Sequence, residues 1–287
     1  MIDVVITAHH ERGAAGELAE KTAAWLIERG HHCWMVPEDA VSLGLPALAS
    51  DRSPAEADLV LSLGGDGTML RAVHLLDGAP VPLLGVNLGW LGYLTEVEAD
   101  QLHDALARFA QGPVDGTWHL DERMMLDVAI VDRAGDEIGR WRALNEAVVE
   151  KHEAGHTIRL LLRIDGEPFT SYAADGMIVS TPTGSTAYSL SARGPVVSPR
   201  HRALLVTPVA PHMLFDRSLV LDPTEHVEVE VIGHRRAELA IDGQRVAPLT
   251  EGSVVSCRPS ISTARFVRFG EWHYHQILRA KFGLADR

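Results

Sequence analysis

Apolar runs and amphipathic stretches alternate over about the first hundred positions of the chain. Val4 to Ala8 reads as a buried strand, and Ala14 to Arg29 follows as a helix with Leu18, Thr22 and Leu26 on one face and Gly30 as its stop. His32 to Val36 predicts a second strand, whereas Pro37 to Pro54, rich in Pro, Ser, Asp and Gly, predicts a loop. Asp58 to Leu63 is a third buried strand. A helix over Thr68 to Leu76, a strand over Pro82 to Val86 and an amphipathic helix over Ala99 to Ala110 complete the series. Strand alternating with helix is the pattern of an α/β domain with a parallel sheet, whose ligands bind beyond the carboxyl ends of the strands.

From about Trp118 the period changes to two. Met125 to Val131, Ala147 to Val149 and Ile158 to Ile164 alternate in the manner of half-buried strands, with turns at Arg133-Ala134-Gly135-Asp136 and Asp165-Gly166-Glu167-Pro168. No helix is predicted in this stretch, which reads as a mainly antiparallel β domain until about Arg268. Glu271 to Phe282 is helical again and is expected to pack back on the first domain. The expected organisation is therefore an α/β domain over 1–117, a β-rich domain over 118–268 and a C-terminal helix over 269–287, with no internal repeat.

Composition narrows the partners. A length of 287 residues and 46% hydrophobic content support full-sized cores, and 39 acidic against 26 basic side chains give a net charge of −13. That balance argues against a nucleic-acid surface and against an anionic membrane, and a nucleotide would need local cations or a metal. Cys33 and Cys257 lie far apart with no C-x-x-C spacing, so neither a disulfide framework nor a zinc-thiolate site is implied. An acid at Asp3 and the absence of a membrane-length apolar run point to a reducing, cytoplasmic location.

The most informative stretch is Gly64-Gly65-Asp66-Gly67-Thr68, an acid among glycines where a strand turns into a helix. Glycines let backbone N–H groups approach a ligand, and a helix N-terminus favours phosphate. A carboxylate among such amides repels the anion unless it has chemical work. It suits a general base aimed at a hydroxyl that attacks a phosphoryl group, with Mg2+ offsetting the negative charge. The alternative is a connector turn with no ligand.

Other strings carry both functional and plain readings. Asp175 to Ser191 runs from a buried strand into a turn crowded with Thr, Ser and Gly and one aromatic, Tyr188, suited to a sugar, a base and a phosphate or else to ordinary capping. Asn145-Glu146 sets an amide beside a carboxylate, a pairing that suits ribose hydroxyls and also occurs in surface turns; Asp242-Gly243-Gln244 is of the same kind and weaker. His152-Glu153-Ala154-Gly155-His156 matches the H-E-x-x-H zinc pattern in letters, but that chemistry needs one helical face, and Gly155 with flanking strands predicts a hairpin turn between Val149 and Ile158 instead. His9-His10 and His31-His32 have no ligand spacing and read as surface or core residues.

Together and in this order, Gly64 to Thr68, Asn145-Glu146 and Thr181-Pro182-Thr183-Gly184-Ser185-Thr186-Ala187-Tyr188-Ser189-Leu190-Ser191 closely resemble the NAD kinase family. Gly85 to Glu96 and Thr207 to His212 agree. The resemblance implies phosphoryl transfer from ATP or polyphosphate to the 2′-hydroxyl of the adenosine ribose of NAD, giving NADP, in a two-domain fold. It implies Asp66 as proton acceptor and Gly64, Gly65, Gly67, Thr68 and Arg71 as the phosphate and nucleotide site. Asn145, Glu146, His156, Asp175, Thr186, Ala187, Tyr188, Ser191 and Gln244 would bind NAD. Mg2+ or another divalent cation would be held mainly by phosphates, with no protein metal ligand assigned. A homodimer or homotetramer is implied, with no nucleic-acid or membrane partner. A lipid or sugar kinase with a similar glycine-aspartate turn, and a catalytically silent NAD(P) sensor, are the competing readings. The chain departs from the family pattern at Arg193, where a glycine is common, and at Phe215-Asp216-Arg217-Ser218.

Overall fold

The computed structural model describes residues 1–10, 13–89, 92–113, 117–132, 135–271 and 274–284. Trp90-Leu91 of the Gly85 to Glu96 string, Arg133-Ala134 of the predicted turn, and parts of the segments before and after the last helix lie outside them. Two compact units are formed, one from 1–122 with 264–287 and one from 123–263.

The first unit carries β1 (Asp3–Ala8), α1 (Gly13–Glu28), β2 (His32–Trp34), α2 (Pro37–Ser42), β3 (Leu59–Gly64), α3 (Asp66–Leu76), β4 (Pro82–Asn87), β5 (Val97–Glu98) and α4 (Leu102–Ala110). β2, β1, β3 and β4 pair side by side, all parallel. Every residue of β3 is buried, as expected of a central parallel strand covered on both faces. Leu59, Leu61 and Leu63 pack with Ala15, Ala19 and Leu26 of α1 and with Leu102, Leu106 and Phe109 of α4. The register aligns Ala8 with Leu63 and Gly64 with Asn87, so the segments leaving β1, β3 and β4 emerge at one edge.

Two expectations change in this unit. The Pro37 to Pro54 stretch is not simply a loop, because it holds α2 and a 3-10 turn at Pro46–Leu48. Pro37 starts that helix without losing a hydrogen bond, and Glu38 and Asp39 in its first turn suit the helix dipole. Helix α3 begins at Asp66 rather than Thr68, with Gly65 as its cap, so the acid belongs to the first helical turn. Met69, Ala72, Val73 and Leu76 are its buried stripe.

The second unit is built from β6 (His119–Val131), β7 (Glu137–Ala143), β8 (Glu146–Lys151), β9 (Ile158–Ile164), β10 (Glu167–Ala174), β11 (Gly176–Ser180), α5 (Tyr188–Ser191), β12 (Leu204–Val209), β13 (Leu219–Leu221), β14 (Val227–Val231), β15 (Ala237–Ile241), β16 (Gln244–Leu249) and most of β17 (Val254–Arg268). One antiparallel sheet has the order β13-β12-β11-β8-β15-β16. In the other sheet β10, β9, β14 and β17 are antiparallel neighbours. Val149, Met177, Val179, Val206 and Leu239 from the first meet Leu160, Leu162, Val227, Val229 and Val255 from the second in one core.

The predicted hairpin between Val149 and Ile158 does not form, since β8 pairs with β11 and β15 whereas β9 pairs with β10 and β14. Residues 152–157 are a crossing from one sheet to the other. The unit also contains helical turns that the period-two pattern did not announce, at Thr183–Thr186 and at α5. Hydroxyl-rich, glycine-containing segments carry no hydrophobic period, so their local turns are invisible to it. The last helix is α6 (Tyr274–Lys281), and among the described residues no helix is long and apolar enough to cross a membrane.

Candidate functional site

In the first unit the glycine turn opens on a cavity of about 530 Å3 lined by Ala8, His9, His10, Gly65, Gly67, Thr68 and Arg71. Gly65 and Gly67 have open space where a side chain would stand. A helix N-terminus whose amides face such a space is a favourable seat for an anion. Asp66 lies beside it, about one-third exposed. Its Oδ2 accepts the Tyr93 amide and its Oδ1 the Leu94 amide, both at 2.9 Å. Gly92 permits this approach, because a Cβ there would collide with Asp66 Oδ1.

The loop that supplies those amides is itself clamped. Arg268, fully buried at the end of β17, donates to the carbonyls of Leu94 (3.4 Å) and Thr95 (3.2 Å) and to Glu96 Oε2 at 2.8 Å, while the Phe269 amide donates to Glu96 Oε1. A buried arginine with several acceptors fixes a loop far better than a surface ion pair does. Nothing near Arg268 in sequence marks it, so its role in holding Asp66 was not predicted.

Arg71 lines the cavity but is heavily engaged. Its guanidinium grips both carboxylate oxygens of Asp39, which is 1% exposed, and also donates to Thr7 Oγ1 and the Ala8 carbonyl and contacts His10 Nε2. Helix α2, β1 and α3 are tied together there. His9 and His10, read from sequence as unremarkable, line this cavity with it.

In the second unit three strings far apart in sequence converge. Asp242 and Gly243 have φ of +46° and +82°, the two-residue turn that an Asp-Gly pair forms between antiparallel strands. That turn delivers Asp242 to the chain before β8, where it accepts the amides of Leu144 (2.8 Å), Asn145 (2.7 Å) and Glu146 (3.0 Å). From the other side, Thr181 Oγ1 donates to the Leu144 carbonyl at 2.6 Å and the Thr181 amide to the Asn145 carbonyl at 2.9 Å. Gly184 presses so closely on this segment that a Cβ would collide with the Asn145 carbonyl. Asp242 was ranked weakest on sequence, because its partners lie almost a hundred positions away; an Asp-Gly turn after a buried strand is the signal that could have found it.

Glu146 is 4% exposed at the centre of this arrangement, and its Oε2 has no hydrogen-bond partner among the described residues. Burial, reinforced by the Asp242 charge and only partly offset by the Tyr188 amide, pushes its carboxyl up to about 8. A buried acid with a bare oxygen is poised for an incoming hydroxyl. Tyr188 stands beside it, 39% exposed. Burial first, then the charges of Glu150, Asp175 and Glu146, raises the Tyr188 phenol above its ordinary value.

The family model for the ATP-NAD kinase N-terminal domain matches residues 4–114, and that for the ATP-NAD kinase C-terminal domain matches residues 144–269. The chain is 39% identical to the NAD kinase of Heliobacterium modesticaldum, over 98% of each chain. The chain belongs to the NAD kinase family. It is also 39% identical to NAD kinase 2 of Streptomyces coelicolor, over 98% of this chain and 94% of that one. Among solved structures, the yeast NADH kinase complexed with NADH superposes with a TM-score of 0.88 at 25% identity, covering all of this chain and 89% of that one.

The other residues implied by likeness to NAD kinases are not all gathered there: Ser180 pairs with Glu146 but Gly176 with Glu150, so Asp175, and the crossing that carries His156, lie at the other end of β8 from Glu146. Asp175 pairs with Lys151 at 2.7 Å, and Gln244 follows the Asp-Gly turn with its side chain exposed. Thr186 Oγ1 bonds the Thr183 carbonyl, Ala187 follows half-buried, and Ser191 is exposed on α5. His156 is exposed on the crossing between sheets, where Gly155 at φ +86° breaks any helix; His152 bonds Glu238 at 2.6 Å. The zinc-protease pattern thus lacks the helical face its mechanism needs. Arg193 holds a left-handed φ of +67°, a backbone conformation that glycine adopts without the strain a side chain meets.

Proposed function

We propose that this chain transfers the terminal phosphoryl group of ATP to the 2′-hydroxyl of the adenosine ribose of NAD, giving NADP. The observation that carries the reading is the convergence of Asn145-Glu146, the Thr181 to Thr186 turn and Asp242 around a buried carboxyl with one free oxygen. Such a group discriminates in favour of a hydroxyl-bearing ligand, because an empty site leaves the oxygen unsatisfied. The likeness to a kinase complexed with NADH supports a dinucleotide as that ligand.

In this reading Asp66 takes the proton of the 2′-hydroxyl as its oxygen forms a bond to the terminal phosphorus. The bond from that phosphorus to the bridging oxygen breaks, and its electron pair leaves on the nucleoside diphosphate. Asn145, Glu146, Asp175, Thr186, Ala187, Tyr188, Ser191, His156 and Gln244 hold NAD, whereas Gly64, Gly65, Gly67, Thr68 and Arg71 shape the phosphate side. Both Asp66 oxygens already accept amides, a donor set that fits Mg2+ carried on the donor phosphates better than one ligated by the protein. When bound, the cation neutralises charge on those phosphates.

The active form is a homodimer or homotetramer in the same reading. Phe169 and Phe215 stack edge to face on the surface of the second unit, next to a fully exposed Leu214, and an apolar group of this kind suits contact with another copy. A cytoplasmic setting suits the two free thiols, of which Cys257 is fully buried and pushed up to about 12. The deciding experiment is a donor-by-acceptor assay that follows NADP and NADPH formation from NAD and NADH with ATP or polyphosphate, with and without Mg2+. NADP formed from ATP and NAD is the expected result. Tight NAD binding with no product from any donor would leave a silent sensor, and phosphorylation of a lipid or sugar alone would overturn the assignment.

A further inference from the structure

A phosphoryl group in flight carries charge on three oxygens and needs a positive group beside it. In a chain of net charge −13 that group must be local. Arg71 is the cation the sequence offers, yet its guanidinium is committed to a bidentate grip on buried Asp39 and to Thr7 and Ala8. Its charge is largely neutralised within the fold, which makes it a tie between α2, β1 and α3.

A different cation stands at Asp66. Lys281, in the last turn of α6, brings its ammonium to 3.8 Å from Asp66 Oδ2 and seats it 4.1 Å from the centre of the Tyr93 ring. The side chain remains 29% exposed, so its head can turn toward a ligand. Tyr93 is the residue whose amide holds Asp66, and one residue therefore positions both the acid and the cation. Cation–π seating orients an ammonium without consuming its charge. Tyr274, at the start of α6, is the further titratable group acting on Tyr93.

We propose that Lys281 is a catalytic residue that supplies the positive charge met by the phosphoryl group during transfer, an inference that rests on Asp66 as the base. A hydroxyl within about 3 Å of Asp66 has its phosphorus only about 3–3.5 Å further on. The oxygens of that group come within the sweep of a four-carbon lysine stem anchored beside the acid. In the free enzyme the ammonium rests on Tyr93 and Asp66; as donor and acceptor meet, it moves onto the transferred group.

The test compares Lys281→Met, Lys281→Arg and Lys281→Ala in the full chain, with Asp66→Asn as a separate arm. Lys281→Met is expected to lose about 10²–10³ in kcat, with NAD affinity by calorimetry and the thermal midpoint unchanged. Lys281→Arg should recover at least a tenth of the activity, and propylammonium should restore turnover to Lys281→Ala, a rescue that a packing role does not produce. Turnover of Lys281→Met within fivefold of the parent overturns the proposal. So does a loss matched by equal losses of NAD affinity and thermal midpoint without amine rescue. Normal turnover of Asp66→Asn would instead reject the base, and the lysine variants distinguish that failure from this one.

Discussion

Asp66, in the first turn of the helix that follows β3, and Glu146, the first residue of β8, are both carboxylic acids at the ends of interior strands, and their surroundings are opposite. Asp66 has an amide on each oxygen, a lysine ammonium close by and an open cavity next to it. Glu146 is sealed in the second unit, keeps one oxygen bare and has another acid, Asp242, for a neighbour. The first environment suits a group that exchanges a proton during a reaction. The second suits a group that holds a ligand hydroxyl and stays neutral when empty. The same functional group is given two different environments by the groups around it.

The sharpest way to break this contrast is Asp66→Asn, which keeps the shape and removes the basic oxygen. Turnover should fall by about 10²–10⁴, with NAD affinity by calorimetry within about threefold. Intermediate in size is Glu146→Gln. The unfolded chain releases this proton near 4.5 and the folded one near 8, so between those values the native state binds more protons and loses stability as pH rises, levelling above about 8. Glutamine removes that slope. Thermal midpoints measured from pH 5 to pH 9 should decline less in the variant; equal declines would mean that Glu146 titrates normally. NAD affinity of the variant should fall about tenfold. The smallest effect belongs to Arg193→Gly, which relieves a left-handed residue beside the second site and should stabilise the protein by about 1 kcal/mol, read as a rise of a few degrees in midpoint. No gain would show that the Arg193 side chain makes compensating contacts.

How far each half could be read from sequence follows from the distance over which its groups interact. The glycine turn, β3 and α3 are local, and the apolar run followed by Gly-Gly-Asp-Gly announces them directly; only the helix start moved, from Thr68 to Asp66. The alternation after Trp118 revealed strands but not which strands pair, and so the crossing at 152–157 looked like a hairpin. Asp242 holding 144–146, and Arg268 holding the loop that holds Asp66, join residues about a hundred or more positions apart. No periodicity reports such contacts. Arg71 is the converse case, because its charge is visible in sequence and its neutralisation by Asp39 is not.

One consequence follows from the first unit being made of two separated stretches, 1–122 and 264–287. During synthesis the whole of 123–263 leaves the ribosome before the residues that finish the earlier unit. At about 5–20 residues per second, β1 to α4 wait roughly ten to thirty seconds for Phe266, Arg268 and Lys281. Throughout that interval the loop holding Asp66 lacks its arginine clamp and the acid lacks its lysine. The nascent chain therefore completes the whole of its second unit before the arginine clamp and the lysine reach the loop that holds Asp66.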